Sequence, residues 1–162
     1  MAVNRQQQYK SPQAWFSPTR RTKKKQSIGR SKGGITTKIH AVTDALGNPL
    51  KIILSAGNVH DSKLAEDLLF GMEAKAVLAD KGYNTNKIAA LIKEKNSEVV
   101  IPPFKNAVNP RNYDKHLYKE RHVIECFFQK IKESRRVATR YDKLQIMYKN
   151  FVLIACCLVW LR

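Results

Sequence analysis

The chain has 162 residues, 43% of them hydrophobic, and its 30 lysines and arginines against 13 acidic residues give a net charge of +17. The hydrophobic content excludes a fully disordered chain, and the length favours one domain with a real core. A charge this large favours a polyanionic partner, with nucleic acid first, an anionic membrane surface second and a ribosomal type of structural role third.

The first 34 residues differ in composition from the rest of the chain. They contain nine lysines or arginines, no acidic residue, two prolines and three consecutive glutamines. We therefore predict a basic, disordered arm over residues 1–34 and a folded domain over residues 35–162. Such an arm is either a solvated tail or a contact for nucleic acid.

A β-hairpin is predicted directly after the arm. β-Branched and apolar residues alternate over 35–43, turn residues fill 44–49, and a second strand pattern covers 50–55. Two further strand patterns, over 74–79 and 98–101, alternate with helical patterns. The order of elements predicts an α/β domain.

The second half of the chain is predicted to be mainly helical. One helix covers residues 118–135, and an apolar helix covers about 145–161. The apolar run from Phe151 to Leu161 has eleven residues, which is short of the roughly 20 that a membrane span needs. The three cysteines have no disulfide or metal spacing, and no signal peptide follows the N-terminus, so we predict a cytoplasmic protein without a membrane partner.

The sequence Tyr118-x2-Arg121-x3-Glu125-x6-Lys132 is the most informative motif. On a helix, these four side chains lie within about 40° of Glu125 at 100° per residue. A separate face carries the apolar residues Ile124, Phe127, Phe128 and Ile131, and we expect it to face the core. The simplest alternative for the polar stripe is ion pairing on a helix surface.

A second carboxylate, Asp80, ends the strand pattern 74–79 and precedes Gly82, which permits a sharp turn. Ligands collect at the carboxyl ends of strands in open α/β sheets. Carboxylates suit Mg²⁺ or Mn²⁺, and a pair of such ions about 4 Å apart can support phosphodiester chemistry. Asp80 and Glu125 are therefore predicted metal ligands, although a two-ion site needs at least one more carboxylate.

The cations of the motif leave two interpretations open. Arg121 and Lys132 either balance the charge of Glu125 or hold a phosphate, for which arginine is geometrically suited. Tyr118 either packs or stacks near the reacting phosphate. Other cations are predicted to contact DNA because they flank Gly33-Gly34 or lie in basic loops; they are Arg30, Lys32, Lys38, Lys105, Arg111, Arg135, Arg136 and Arg140.

Residues from about Gly29 to Arg162 resemble the DDE transposases of bacterial insertion sequences, specifically the group called insertion sequence five. The Tyr, Arg, Glu and Lys spacing of the 118–132 motif is that family's signature. The other matching segments are Gly29-Arg30-Ser31-Lys32-Gly33-Gly34, Thr37-Lys38-Ile39-His40-Ala41, Asp44-Ala45-Leu46-Gly47-Asn48-Pro49, His60-Asp61-Ser62, Ala79-Asp80-Lys81-Gly82-Tyr83, Ile101-Pro102-Pro103, Tyr118-Lys119-Glu120-Arg121 and Ala138-Thr139-Arg140-Tyr141-Asp142-Lys143-Leu144.

The resemblance implies an RNase H-like fold, and Asp80 and Glu125 as the second and third acids of an Asp-Asp-Glu triad for Mg²⁺ or Mn²⁺. It implies cleavage of double-stranded DNA at transposon ends and joining to target DNA. It also implies a bacterial cytoplasmic location, with nucleoid association when DNA is bound.

The sequence departs from the family at the first acid of the triad, which lies on a central first strand. No Asp or Glu precedes Asp44, and Asp44 matches the turn of the family's hairpin. We therefore predict an incomplete domain that lacks the first central strand and one metal ligand. Its partners would then be DNA and either the product of an upstream reading frame or a second copy. The alternative is a non-catalytic, basic DNA-binding remnant.

Overall fold

The structure is a computed structural model that describes residues 2–10, 26–104, 106–107 and 109–161, with side chains described from residue 26 onward. The described part of the chain is a mixed α/β domain built on a six-stranded sheet. Its strands are β1 (Ala2–Lys10), β2 (Gly29–Ser31), β3 (Gly34–Thr43), β4 (Pro49–Ala56), β5 (Ala76–Ala79) and β6 (Glu98–Val100).

The helices pack on both faces of this sheet. They are α1 (Ala65–Leu69), α2 (Asn86–Glu94), α3 (Lys115–Lys119), α4 (His122–Lys132), α5 (Arg135–Ala138) and α6 (Gln145–Trp160). Two short 3₁₀ turns, Asp61–Leu64 and Lys81–Tyr83, precede α1 and α2. None of the described helices is long and apolar enough to cross a membrane.

The predicted hairpin is confirmed as β3 and β4, which pair antiparallel from Thr37↔Ala56 to Thr43↔Pro49. Asp44 holds the turn because its carboxylate accepts hydrogen bonds from the backbone N–H groups of Leu46 and Asn48. This is the local bonding that makes aspartate a frequent turn residue. The strands predicted near 74–79 and 98–101 are confirmed as β5 and β6, which pair in parallel.

The prediction that the sheet lacks its central strand is wrong. β1 lies between β3 and β5, antiparallel to β3 and parallel to β5. The prolines that argued against a strand, Pro12 and Pro18, come after Lys10 and do not interrupt it. A strand with neighbours on both edges is held by backbone hydrogen bonds, and these do not require an alternating apolar pattern.

The predicted boundary after residue 34 also differs from the structure. β1 is part of the sheet, and Ser27 and Ile28 are buried in the domain. Residues 11–25 of the predicted arm, including its Lys23-Lys24-Lys25 run, lie outside the described residues. The N-terminal segments that are described therefore belong to the folded domain.

The sheet carries a hydrophobic core on each face. On one face, Leu78 of β5 and Ala41 of β3 pack with the apolar sides of α4 and α6. On the other face, Val77 and Ala79 of β5 pack with α1 and α2. Because side chains alternate along a strand, residue parity decides which core each position faces.

The helix predicted over 118–135 is divided into α3, α4 and α5. Between α3 and α4 the backbone makes i to i+3 bonds, from Arg121 N–H to Tyr118 O and from Ile124 N–H to Arg121 O. Such tighter turns change the angle between residues that a continuous helix would align. The predicted core face of α4 is confirmed, because Ile124, Phe127, Phe128 and Ile131 are buried.

Candidate active site and DNA-binding surface

Asp80 lies at the carboxyl end of β5, where the 3₁₀ turn Lys81–Tyr83 begins. Its carboxylate accepts a hydrogen bond of 2.8 Å from the N–H of Lys81, and its carbonyl accepts one of 2.9 Å from the N–H of Tyr83. The backbone at Asp80 is still extended, so strand alternation places it on the same face of the sheet as Leu78. This is the face that α4 covers.

A buried polar group anchors the turn that carries Asp80. The hydroxyl of Tyr83 lies 3.3 Å from Nδ1 of His40, and Nε2 of His40 lies 2.8 Å from Oγ of Ser55. Burial, with smaller contributions from the charges of Asp61 and Asp80, raises the pKa of Tyr83. The phenol is therefore neutral, and hydrogen bonds tie the turn to β3 and β4. His40 is therefore a buried structural residue.

Asp61 supports the same turn from a second side. Its carboxylate forms a buried ion pair of 3.2 Å with Nζ of Lys38, which also donates to the carbonyl of Val59. A Cβ added to Gly82 would lie 3.4 Å from Oδ2 of Asp61, so the backbone of the turn approaches this carboxylate closely. Lys38, a predicted DNA contact, is only 6% exposed and is a structural residue instead.

Glu125 lies on the exposed side of α4 and forms an ion pair with Arg121, which is one of the two alternatives that the sequence left open. The guanidinium of Arg121 donates a 2.7 Å hydrogen bond to Oε1 of Glu125. Burial alone would lower the pKa of Arg121, but the hydrogen bond to Glu125 and the neighbouring Tyr118, Glu125 and Asp80 raise it. Arg121 therefore interacts electrostatically with both carboxylates of the predicted site.

Tyr118 belongs to the same cluster. Its ring packs edge-on against Tyr113, with 5.6 Å between ring centroids, and the guanidinium of Arg121 lies 5.6 Å from the ring centre. Burial raises the pKa of Tyr118, Arg121 opposes that rise, and Asp80 adds to it. Asp80, Tyr118, Arg121 and Glu125 are thus brought into one electrostatic neighbourhood by β5, α3 and α4.

Lys132 is the last residue of α4 and is exposed. It lies seven residues beyond Glu125, which corresponds to about two helical turns or roughly 10 Å along the axis.

Asn4 is a position that the sequence did not single out. Val3 of β1 pairs with Ala79 of β5, so the following residues, Asn4 and Asp80, lie at neighbouring levels of two parallel strands. Asn4 also pairs with Ala41 of β3, which faces the core beneath α4. The only signal that could have found it is the pairing register, which the sequence does not contain.

The described side chains do not make a complete site for the metal ions that the DDE family implies. They contain no group of three or more His, Cys, Asp or Glu residues able to hold an ion. Of the carboxylates near Arg121, Glu125 is already hydrogen-bonded to that guanidinium. Two carboxylates beside an arginine supply too little negative charge and too few oxygens for a two-ion centre.

The predicted DNA contacts fall into two groups. Arg30 and Lys32 are exposed on the β2–β3 hairpin, and Arg135 is exposed on α5. Arg136 is half-exposed, stacks over Phe151 at 4.5 Å and forms a 3.4 Å ion pair with Asp142. These four side chains leave cationic surface accessible to a phosphate backbone.

The second group is engaged within the protein or is not described. Arg140 is 1% exposed and donates to the carbonyls of Gln26, Asp142 and Lys143 and to the hydroxyl of Thr37. It is a structural clamp, and its burial argues against the predicted role as a DNA contact. Arg111 is half-buried and donates to the side chains of Asn84 and Asn86. Lys105 lies outside the described residues.

The strand register gives the distance between the cationic hairpin and the acids. Arg30 pairs with Ile35, and Ala41 of the same strand lies level with Asn4 and hence with Asp80. Six residues of strand correspond to about 20 Å, or roughly six steps of B-form DNA at 3.4 Å each. The exposed cations of the hairpin and the level of Asp80 are therefore about 20 Å apart along the strands.

Comparison with known proteins identifies relatives over most of the chain. The family model described as "Transposase DDE domain" matches residues 8–160. A protein of Brucella ovis named as a transposase for insertion sequence element IS6501 is 39% identical over 132 residues, which cover 79% of this chain and 100% of that protein. One of Burkholderia cepacia, named for element IS402, is 27% identical over 135 residues, covering 76% of this chain and 62% of that protein.

Proposed function

This chain belongs to the DDE transposase family of insertion sequences, and from that premise we propose that it binds the double-stranded DNA of element ends during DNA transposition. The reaction implied by the family is metal-dependent strand cleavage and transfer. We propose that the acids of this reaction are Asp80 and Glu125, with Tyr118 and Arg121 near them and Lys132 about two turns further along α4. The cation-rich surface supplies the phosphate contacts.

The observation that carries this proposal is that Arg121 donates a hydrogen bond to Glu125 while the charge of Asp80 contributes to raising the pKa of Arg121. This electrostatic link supports placing the end of β5 near α4. An arginine between two carboxylates can receive a phosphate when DNA enters, because a guanidinium fits phosphate oxygens in a bidentate geometry. The acids then lie beside the backbone that is to be cut.

The strand arrangement supports an RNase H-like assignment. β4, β3 and β1 are antiparallel neighbours, and β1, β5 and β6 follow in parallel. A central first strand beside the Asp80 strand is what this fold class implies. Because β1 fills that position, the deficit that remains among the described residues is chemical, namely one missing carboxylate.

We propose that the chain cleaves DNA inefficiently by itself, because the described donors are short of one carboxylate. Binding does not require those acids. The alternative function is a non-catalytic DNA-binding remnant that occupies element ends. The observation in its favour is the separation of the exposed cations Arg30 and Lys32 from the acids by about 20 Å of strand.

Two measurements test the proposed function. Binding to element-end DNA is expected to weaken steeply with salt, because each neutralised phosphate releases condensed counterions. A scrambled duplex and the matched variants Lys32→Met and Asp80→Asn serve as controls for sequence and charge. Specific binding to element ends supports the proposal, and equal affinity for scrambled DNA contradicts it.

Nicking of supercoiled element-end DNA with Mg²⁺ or Mn²⁺ is the second measurement. Weak nicking that disappears in both Asp80→Asn and Glu125→Gln supports an incomplete catalytic site. Strong nicking by the natural chain would contradict the deficit. DNA binding together with nicking that neither variant alters would favour the non-catalytic remnant, with the cleavage assigned to a contaminant.

Self-association is a further part of the proposal. Exposed apolar side chains follow one another along α6, and Lys149 is the only charged residue of that helix. The exposed apolar side chains of α6 are Ile146, Met147, Leu153, Ile154, Leu158 and Trp160. A neutral apolar surface on a chain of +17 suits contact with a second copy bound to the same DNA. Sedimentation with and without DNA measures this.

A further inference from the structure

The metal site that the family implies is short of a carboxylate in this chain, and the sheet register identifies where. β1 and β5 are parallel neighbours, and the pairs Ala2↔Leu78 and Val3↔Ala79 fix their alignment. The next step along both strands brings position 4 beside position 80. Asp80 ends β5 there, and Asn4 is the residue of β1 at that level.

The alternation of residues along β1 places position 4 on the face of the sheet that α4 covers. Asn4 pairs with Ala41 across the antiparallel ladder, and residues paired in this way share a face. Ala41 and Leu78 both pack beneath α4, and Asp80 shares the parity of Leu78. Position 4 is therefore on the side of the sheet where Glu125 and Arg121 lie.

The neighbouring positions of β1 are less suitable. Val3 pairs with Val42, which belongs to the core on the opposite face. A register shift follows Asn4, and pairing resumes only at Gln7, so Arg5 and Gln6 leave the regular ladder. Position 4 is thus the last regularly paired position of β1 before the irregularity, and the one level with Asp80.

An asparagine at this position has a clear chemical consequence. Its amide is almost the same size and shape as a carboxylate but carries no charge. Hard divalent ions are held mainly by charged oxygens, and the charge count of the ligands tunes their affinity. With Arg121 also adding positive charge next to Glu125, a neutral residue at position 4 leaves the site poorly matched to a divalent ion.

We infer that position 4 is the third member of the acid site and that Asn4 in place of a carboxylate weakens metal binding in this chain. The single substitution Asn4→Asp restores a three-carboxylate site without repairing any other part of the fold. This inference rests on the proposed function for its chemistry, but metal binding can be measured without DNA.

The test uses the full chain and Mn²⁺ alone, with free Mn²⁺ quantified by electron paramagnetic resonance. Asn4→Asp is expected to bind Mn²⁺ at least about 10-fold more tightly than the natural chain, in line with the 10- to 100-fold effects of altered metal-site residues. Asn150→Asp, which adds the same charge at an exposed position of α6, is the matched control and should leave affinity unchanged.

Dependence on the other acids completes the test. In the Asn4→Asp background, either Asp80→Asn or Glu125→Gln should remove the gain. Equal Mn²⁺ affinity for Asn4→Asp and Asn150→Asp overturns the inference, as does a gain that survives loss of Asp80. If Asn4→Asp folds only when Mn²⁺ is present, that also supports the inference, because a ligand bound to the folded state stabilises it. If the variant fails to fold with Mn²⁺ as well, the inference is overturned.

The result is separable from the fate of the proposed function. Binding of the natural chain to element-end DNA in metal-free buffer tests the function without involving position 4. If Asn4→Asp gains Mn²⁺ affinity but the natural chain does not bind element-end DNA, the inference about position 4 is supported and the proposed function is contradicted. If the natural chain binds element-end DNA but Asn4→Asp gains no Mn²⁺ affinity, the proposed function is supported and the inference is overturned.

Discussion

Single residues in this protein show why a positive charge is not by itself a DNA contact. Lys32 and Lys38 are six residues apart in a basic segment, and sequence alone gives them the same role. Lys32 is exposed on a hairpin, whereas Lys38 faces the interior of the sheet and pairs with Asp61. The difference arises from strand parity and from the path of the 59–64 segment, which only the fold determines.

The pair Lys38→Met and Lys32→Met separates these roles. Removing Lys38 leaves the carboxylate of Asp61 buried without its cation, and breaking such a pair costs about 3 kcal/mol or more in the free energy of unfolding. Removing Lys32 should leave the free energy of unfolding unchanged. It should reduce the slope of log binding constant against log salt concentration by about one. Urea unfolding and salt-dependent binding are the measurements, and equal stability of the two variants would contradict the assignment.

His40 makes stability depend on pH. Burial, and to a smaller extent the charge of Lys38, lowers its pKa to about 4 in the folded state, against about 6.5 in the unfolded chain. Between these values the unfolded chain binds a proton that the folded chain does not. The contribution is therefore fully present above pH 6.5 and is lost as the pH falls towards 4.

We expect the free energy of unfolding to fall by about 2 kcal/mol from this residue between pH 7.5 and pH 5. His40→Gln should be less stable at pH 7.5, because its contacts with Tyr83 and Ser55 are altered, but should lose less on acidification. His116→Gln, at an exposed position of α3, is the control. Parallel pH profiles for the natural chain and His40→Gln would be inconsistent with this origin.

At the scale of elements, β1 is the feature that most changes the interpretation of the chain. Glutamine-rich sequence near prolines predicts an arm, yet the segment is paired on both sides in the sheet. Local composition indicates what a segment prefers in isolation. A central strand is instead stabilised by backbone hydrogen bonds with the strands on either side, here β3 and β5, and its own composition does not reveal those partners.

Proline substitutions in β1 test its position. Gln8 pairs with Lys38 in the regular ladder, whereas Gln6 lies within the register shift. Gln8→Pro is expected to cost about 3 kcal/mol or more, because proline removes a donor and fits poorly in a paired strand. Gln6→Pro should cost less. Thermal or urea unfolding measures both, and a stable Gln8→Pro variant would show that this segment is not a central strand.

Arg140 connects elements that are far apart in sequence. Its guanidinium joins the 26–27 segment and Thr37 to the 142–143 turn, and it lies 5.1 Å from the ring centre of Tyr148 on α6. Burial lowers its pKa to about 10, so the charge persists at neutral pH. A basic connection between helices thus fixes the start of α6 against the sheet.

Arg140→Met should destabilise the chain by about 3 kcal/mol, because several carbonyl groups lose a buried charged donor. Arg135→Met, at an exposed position of the preceding helix, should be within about 0.5 kcal/mol of the natural chain. DNA affinity should fall more for Arg135→Met than for Arg140→Met. A weaker DNA affinity for Arg140→Met without loss of stability would restore Arg140 as a DNA contact.

Features that depend on neighbouring residues in the sequence could be predicted correctly, whereas features that depend on strand register and tertiary contacts could not. The β3–β4 hairpin, the buried face of α4 and the apolar α6 follow from residue periodicity and turn chemistry. The division of 118–135 and the partners of Lys38 follow from tertiary contacts. Asp80 and Glu125 were predicted as metal ligands because one acid follows a strand pattern and the other lies on a helix in a strongly basic chain, and this role stays a prediction.

At the scale of the whole molecule, the charge of +17 and the placement of the acids act together. The exposed cations Arg30 and Lys32 of the β2–β3 hairpin lie about 20 Å along the strand from the level of Asp80, so cationic surface is available away from the carboxylates. The family relationship fixes a role in DNA transposition. Under the proposed function, Asn4 at this position of the register would weaken the catalytic site without removing the cations that contact DNA.

The central claim is that Asp80 and Glu125 share one site, and paramagnetic broadening by Mn²⁺ tests it most directly because it detects even weak binding. In a two-dimensional NMR titration of the natural chain, we predict that amide signals around Asp80 and around Glu125 broaden together, at the same Mn²⁺ concentrations, and that Asp80→Asn reduces both effects. Broadening at only one of the two acids, or at neither, would contradict the claim.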